Sequence, residues 1–235
     1  MMSAPQCERG RPSCYSPATL FKGLTVPETP AVALEAENLQ LWRGTRHVLR
    51  GLSFRAAAGE SIHVRGPNGC GKTSLLRTLA GFLWPEDGRL LWNGADVRAD
   101  RDGFVADLAY LGHENALKAD FTPLENLRYA TGLRHPATAS AFESALERLG
   151  IAAERNLPVR VLSAGQRRRV ALARVMLAKA RLWLLDEPFT NLDASGVHSL
   201  SEIIAAHVAA GGIAILTAHA DLELPGIAPR RLELT

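Results

Sequence analysis

Apolar and polar residues begin to recur at regular spacing from Leu34, and from there the chain alternates between two periods. Segments 34–41, 51–55 and 60–65 read as strands. The last of them alternates Ile62 with Val64 and runs into a Gly-Pro-Asn-Gly turn. Residues 72–80 carry Leu75, Leu76 and Leu79 at helical spacing, with Gly81 as a stop. A turn at Glu86-Asp87-Gly88 leads to a strand around Leu90 to Trp92, and 107–112 reads as another strand. Helices are expected at 124–131, at 138–149 with Ala141, Ala145 and Leu149 on one face, and at 166–178. An apolar strand at 182–185, a helix at 195–209 and a strand at 213–217 complete the pattern. Strands alternating with helices at both ends predict an α/β core with a helical insertion at about 115–175.

Residues 1–31 do not share this periodicity. Five of the 13 prolines fall there, among several Ser and Thr and without the apolar run of a signal peptide. A disordered tail is expected, followed by one domain over 32–235. The composition, 47% hydrophobic and 22% charged, is that of an ordinary globular chain. Its net charge of +3 is spread without a long same-sign block, so no nucleic-acid partner is expected. Cys7, Cys14 and Cys70 are odd in number and lack ligand spacing, which supports neither a disulfide framework nor a zinc site and fits a reduced compartment. The longest stretch without Asp, Glu, Lys or Arg, 203–220, is long enough for a membrane helix. Because it contains His207, Gly211-Gly212, Thr217 and His219, it reads instead as a helix end, a turn and a buried strand.

Candidate chemistry begins where the strand at 60–65 enters its turn. Gly66-Pro67-Asn68-Gly69-Cys70-Gly71-Lys72-Thr73 fits the phosphate-loop pattern G-x-x-x-x-G-K-[ST], with Ser74 next in the helix. Glycines let backbone amides converge, the helix start adds positive field, Lys72 reaches the terminal phosphates and Thr73 ligates Mg²⁺. The field at that helix start also makes the Cys70 thiol a candidate for alkylation. The run Arg181-Leu182-Trp183-Leu184-Leu185-Asp186-Glu187 is an apolar strand ending in two carboxylates. Asp186 is the candidate Mg²⁺ holder through water, and Glu187 the candidate base for an attacking water. No N-K-x-D guanine motif occurs, so the expected nucleotide is ATP.

Between these two motifs lies Leu162-Ser163-Ala164-Gly165-Gln166, in which Ser163 is a good helix N-cap. With the helix that follows, it resembles the signature of the ATP-binding-cassette family. Thr190-Asn191-Leu192-Asp193 resembles that family's D-loop, and His219, after the strand at 213–217, resembles its switch histidine. The resemblance covers roughly residues 32–235. It implies a phosphate-loop ATPase core with a helical subdomain and an N-terminal antiparallel β subdomain. It also implies that Mg-ATP is held between two copies of the chain, with Ser163, Gly165, Gln166 and Asp193 serving the nucleotide across the interface. Two positions depart from the family pattern. His113, in Tyr110-Leu111-Gly112-His113, stands where the family carries a Gln; it either takes over the Gln's magnesium and water contacts or merely caps the strand end. The residue stacking on adenine falls at Trp42 or Arg43.

Within the family the chain most resembles the ATP-binding subunits of haem exporters of cytochrome c maturation. That implies integral membrane subunits as partners, a peripheral location on the cytoplasmic face of the inner membrane, and ATP turnover that drives release of a haem-loaded chaperone. The alternatives are a transporter ATPase for another substrate and a soluble cassette ATPase. The second is disfavoured by the lack of a heptad array between Gly66 and Leu162. A binding module without turnover is disfavoured by the presence of both Glu187 and His219.

Overall fold

The computed structural model describes Met1 and residues 33–132, 137–218 and 223–234. The tail expected over 1–31 lies outside the described residues apart from Met1. In chain order the first elements are β1 (Ala33–Arg43), β2 (Arg46–Ala57), β3 (Ser61–Arg65), α1 (Lys72–Leu79), β4 (Asp87–Trp92), β5 (Ala95–Asp96), α2 (Arg101–Ala106) and β6 (Leu108–Leu111). They are followed by α3 (Pro123–Gly132), α4 (Ala139–Arg148), α5 (Ala164–Leu177), β7 (Leu182–Leu185), α6 (Ala194–Ala209), β8 (Ile213–Thr217) and β9 (Arg230–Glu233).

Two sheets form. The first is antiparallel in the order β2-β1-β4-β5. Leu34 and Ala36 are buried on β1, and so are Leu39 and Leu41. The change of phase between the two pairs is a register shift around Asn38, whose φ is 50°. One extra residue thus returns the later leucines to the core face. Asn93 and Gly94, both at positive φ, make the tight turn that joins β4 to β5.

The second sheet is parallel, in the order β6-β7-β8-β3-β9. All four residues of β7 and all five of β8 are buried, as expected of strands covered on both faces. Alternate residues serve different cores. Leu182, Leu184, Ile213 and Ile215 pack with Leu75, Leu76 and Leu79 of α1, while Trp183, Leu185, Ala214 and Leu216 pack with α5 and α6. Each fully buried Leu or Ile contributes about 1.5–3 kcal/mol, so the sheet centre is a main source of stability for the fold. The uncharged stretch 203–220 comprises the end of α6, a turn and β8, as its pattern predicts up to Ala218. Between β6 and β7 the described residues form α3, α4 and α5 with two short 3-10 turns and no strand.

The structure extends and adds to the predicted elements. The strand expected at 51–55 runs from Arg46 to Ala57. α2 was not legible because Phe104 is its one buried residue, so it has no periodic face; Asp100 starts it by accepting the Gly103 N–H at 3.0 Å. β9, Arg-Arg-Leu-Glu, is a polar edge strand recruited by pairing with β3. For function, the main consequence of the topology is that β3, β6, β7 and β8 all run the same way. Their carboxyl ends deliver Gly66, Gly112, Asp186 and Ala218 to one edge, where open α/β sheets bind ligands.

Candidate active site

The loop after β3 is packed to backbone contact. Gly66 has φ 146°, and a Cβ there would lie 2.5 Å from the Leu234 carbonyl oxygen and 2.7 Å from Cys70 Sγ. At Gly71, φ 118°, a Cβ would run into Val48 of β2. Gly71 is also the N-cap of α1, and no side chain bonds into that helix start. The amides of Lys72, Thr73 and Ser74 precede the first helical bond, from the Leu75 N–H to the Gly71 carbonyl at 2.8 Å. The result is an amide-lined helix start suited to an anion. Lys72 is buried against the same loop, its Nζ donating to the Gly66 carbonyl at 2.8 Å and the Pro67 carbonyl at 3.2 Å. Pro67, Asn68 and Gly69 are exposed, and Thr73 and Ser74 half-buried. Cys70 is 5% exposed and belongs to the apolar core beneath the loop, so its thiol faces away from reagents. At this position Cys70 brings its backbone to the loop.

The carboxylates stand at the end of β7. Asp186 is 2% exposed; its Oδ1 accepts from the Thr217 hydroxyl at 2.8 Å, while its Oδ2 is buried with no hydrogen-bond partner among the described residues. An unpartnered buried carboxylate oxygen is costly, and hydrated Mg²⁺ is the group that satisfies it in a phosphate site, so the donor set fits that metal. Glu187 sits at φ 48°, a left-handed conformation costing a non-glycine residue about 1–3 kcal/mol. Its backbone is held on both sides: its N–H donates to Thr217 Oγ1 at 2.8 Å, and its carbonyl accepts from Arg168 Nη2 at 2.8 Å. Thr190 Oγ1 lies 3.5 Å from its Oε2. Thr217 therefore serves Asp186 and Glu187 together.

Ser163 caps α5 through a reciprocal pair of bonds. Its hydroxyl accepts the Gln166 N–H at 3.1 Å, and Gln166 Oε1 accepts the Ser163 N–H at 2.8 Å. Gln166 Nε2 also donates to Glu154 at 2.9 Å. A Cβ at Gly165 would lie 2.5 Å from the Asn191 carbonyl oxygen, so the signature and the D-loop touch within one chain. Asp193 is the N-cap of α6, accepting the Gly196 N–H at 2.8 Å, and forms an ion pair with Arg169 at 2.6 Å. The Gly196 and Ser195 hydrogen bonds, with Arg169 adding attraction, hold its carboxyl below the usual range. Within this chain Asp193 is thus engaged as a cap.

His113 is exposed, two residues past the end of β6, the strand that neighbours β7. Trp42 is half exposed and stacks on His47, with ring centroids 4.2 Å apart; Arg43 is exposed at the same hairpin. Both adenine candidates thus lie on the hairpin whose Val48 packs on the phosphate loop. His219 lies outside the described residues, and the strand leading to it ends at Thr217. The phosphate loop, His113 and the Asp186-Glu187 pair meet at one sheet edge; Ser163, Gly165 and Gln166 are at the start of α5, and Asp193 at the start of α6.

Sequence reading missed two residues that hold the site's backbone and carboxylates, Thr217 and Arg168. Arg168 is 3% exposed and shares a helical stripe with Ala171, Leu172 and Val175, all buried. That spacing was the available signal, masked by the charge of Arg167-Arg168-Arg169.

A family described as ABC transporter matches residues 49–190. Over 205 residues the chain is 46% identical to the cytochrome c biogenesis ATP-binding export protein CcmA of Dechloromonas aromatica (strain RCB), covering 86% of this chain and 99% of that protein. It is 47% identical to the protein of the same description from Salmonella typhi, over 86% of this chain and 97% of that one. In fold it is similar to an ABC transporter ATP-binding protein from Pyrococcus furiosus, with a TM-score of 0.75 at 24% identity, over 86% of this chain and 97% of that chain.

Proposed function

The chain belongs to the ABC transporter family, and from that membership we propose that it is the ATP-hydrolysing subunit of a cytochrome c biogenesis export complex. It is an ABC-type transporter ATPase, and the relatives' shared description supports the choice of system. Two copies of the chain would enclose ATP between them and dock on integral membrane subunits at the cytoplasmic face of the inner membrane. Turnover would drive release of a haem-loaded chaperone on the far side.

The observation that carries the ATPase reading is the pair at the end of β7. Asp186 presents one hydrogen-bonded and one unpartnered buried oxygen, beside a Glu187 whose backbone is held in a costly conformation. Magnesium, when bound, neutralises charge on the phosphate oxygens; Thr73 and Asp186 would hold it. The amides of the loop and Lys72 bind and orient the triphosphate. Glu187 takes the proton from the attacking water through a carboxylate oxygen. His113 would take over the magnesium and water contacts of the family's Gln, and His219 would serve the terminal phosphate as the switch histidine. Ser163, Gly165 and Gln166 of the second copy offer a helix N-terminus to that phosphate, and Asp193, as α6 cap, braces the neighbouring loop.

The test of the system uses Lys72→Ala in the organism's own complex. Loss of covalently haem-loaded c-type cytochromes, with the ATPase still co-purifying with its membrane subunits from detergent extracts, is expected. Normal cytochrome c maturation in that strain would assign the chain to another cargo.

A further inference from the structure

Arg168 lies in the second turn of α5 and is 3% exposed, yet every one of its five N–H donors has an acceptor. Nη2 donates to the Asp186 carbonyl at 2.6 Å and the Glu187 carbonyl at 2.8 Å. Nη1 donates to the Gly112 carbonyl at 2.8 Å and Asn115 Oδ1 at 3.0 Å, and Nε reaches the Pro188 carbonyl at 3.4 Å. Its acceptors thus fall in two segments. One follows β7 and carries Glu187; the other follows β6 and flanks His113.

The helix that bears Arg168 is itself firmly tied. Its front is closed by the Ser163–Gln166 capping box, and Arg169 binds the Leu149 carbonyl at 2.6 Å and Asp193. Further along, Arg174 Nη1 donates to the Asn115 and Ala116 carbonyls at 2.9 and 2.7 Å. Four acceptors between Gly112 and Ala116 are therefore held from α5, and so are the three consecutive carbonyls from Asp186 to Pro188. A guanidinium suits this role because its fork is planar and fixed, so a displacement of the helix is passed to both segments together.

We infer that Arg168 is a positioning residue coupling the two nucleotide sites: it fastens the backbone around Glu187 and His113 of one site to the helix whose N-terminus serves the other. The inference rests on the two-copy arrangement proposed above. When the phosphate bound to the second copy engages the start of α5, the helix shift carries the carbonyls after β6 and β7 with it. Each site then becomes competent for hydrolysis when its neighbour is filled, which is a coupling between two sites through one tied element.

The experiment compares wild type, Arg168→Lys and Arg168→Gln as full chains with Mg-ATP, alone and in the complex with the membrane subunits. Lysine keeps the charge but cannot present five donors in a fork. Both variants should fold and bind ATP as wild type does. Their kcat should fall about 10²-fold with little change in KM, the scale of a small misplacement of a reacting group. The Hill coefficient for ATP should fall toward one. In a Glu187→Gln background, Arg168→Lys should cost little more, because both changes disable one unit. Wild-type kcat or undiminished cooperativity in a folded Arg168→Lys would overturn the inference. So would a loss fully additive with Glu187→Gln, or failure of both variants to fold, which would make Arg168 a folding residue. If wild type itself shows no cooperativity and Glu187→Gln traps no dimer, the two-copy premise fails and the coupling with it; the two failures are thereby distinguished.

Discussion

At the residue scale, the site is a set of compromises among buried polar groups. Asp186 and Thr217 are both nearly inaccessible, and the hydroxyl between them accepts from Glu187 while donating to Asp186. This one-hydroxyl relay was not legible in the sequence, because Thr217 reads simply as the last residue of an apolar strand. Lys72, Asp186 and Glu187 could be singled out from the sequence as candidates, since their residue types and spacing match the phosphate-loop chemistry proposed for them. The Cys70 thiol illustrates the opposite: the helix field is readable from sequence, but its burial beneath the loop is a packing outcome. At the position where the family resemblance implies a Gln amide, His113 offers an imidazole, which accepts one hydrogen bond through one nitrogen and only while that nitrogen is unprotonated. If it does the work of a Gln, His113→Ala impairs ATPase stimulation by the membrane subunits more than it impairs ATP binding, and His113→Gln restores much of the loss. The comparison is made on the assembled complex at matched protein levels; an Ala variant that is stimulated fully would assign His113 to capping the strand end.

At the scale of elements, α5 organises the site. Its N-terminus is closed by a capping box, contributing about 1 kcal/mol, and its buried stripe packs on the parallel sheet. Gly165, in its first turn, approaches the Asn191 carbonyl so closely that no side chain fits. On helix propensity alone, Gly165→Ala should stabilise the protein by about 0.5–1 kcal/mol. Backbone contact reverses the sign: overpacking costs about 1–3 kcal/mol, and the D-loop must move away from the signature. A denaturant midpoint lowered at unchanged m-value, together with slower ATP turnover, is the expected result. A midpoint raised above wild type would mean that the two loops separate without cost. The long apolar strands and the helices with a clear buried face were readable from periodicity. α2 and β9 were not, because the one buried residue of α2 cannot generate a period, and β9 buries none, so the pairing of this polar edge strand is decided by the neighbour it meets.

At the scale of the whole molecule, parallel strand direction does most of the assembly. Four strand ends converge on one edge, bringing together residues more than a hundred positions apart in sequence, from Gly66 to Asp186 and Thr217. Sequence order announced the motifs, while the strand order β6-β7-β8-β3 that makes them neighbours follows from side-chain packing on both sheet faces. Among the described residues, no helix is long and apolar enough to cross a membrane. In the function proposed above, the membrane-spanning part belongs to other subunits and the chain contributes ATP turnover between two copies. That claim is tested most directly by Glu187→Gln, purified as the full chain and examined by light scattering and by single-turnover hydrolysis with Mg-ATP. The account predicts a variant that binds ATP, hydrolyses it about 10²–10⁴-fold more slowly and accumulates as an ATP-bound dimer that returns to monomer when nucleotide is removed. A variant that hydrolyses ATP at the wild-type rate and stays monomeric would contradict it.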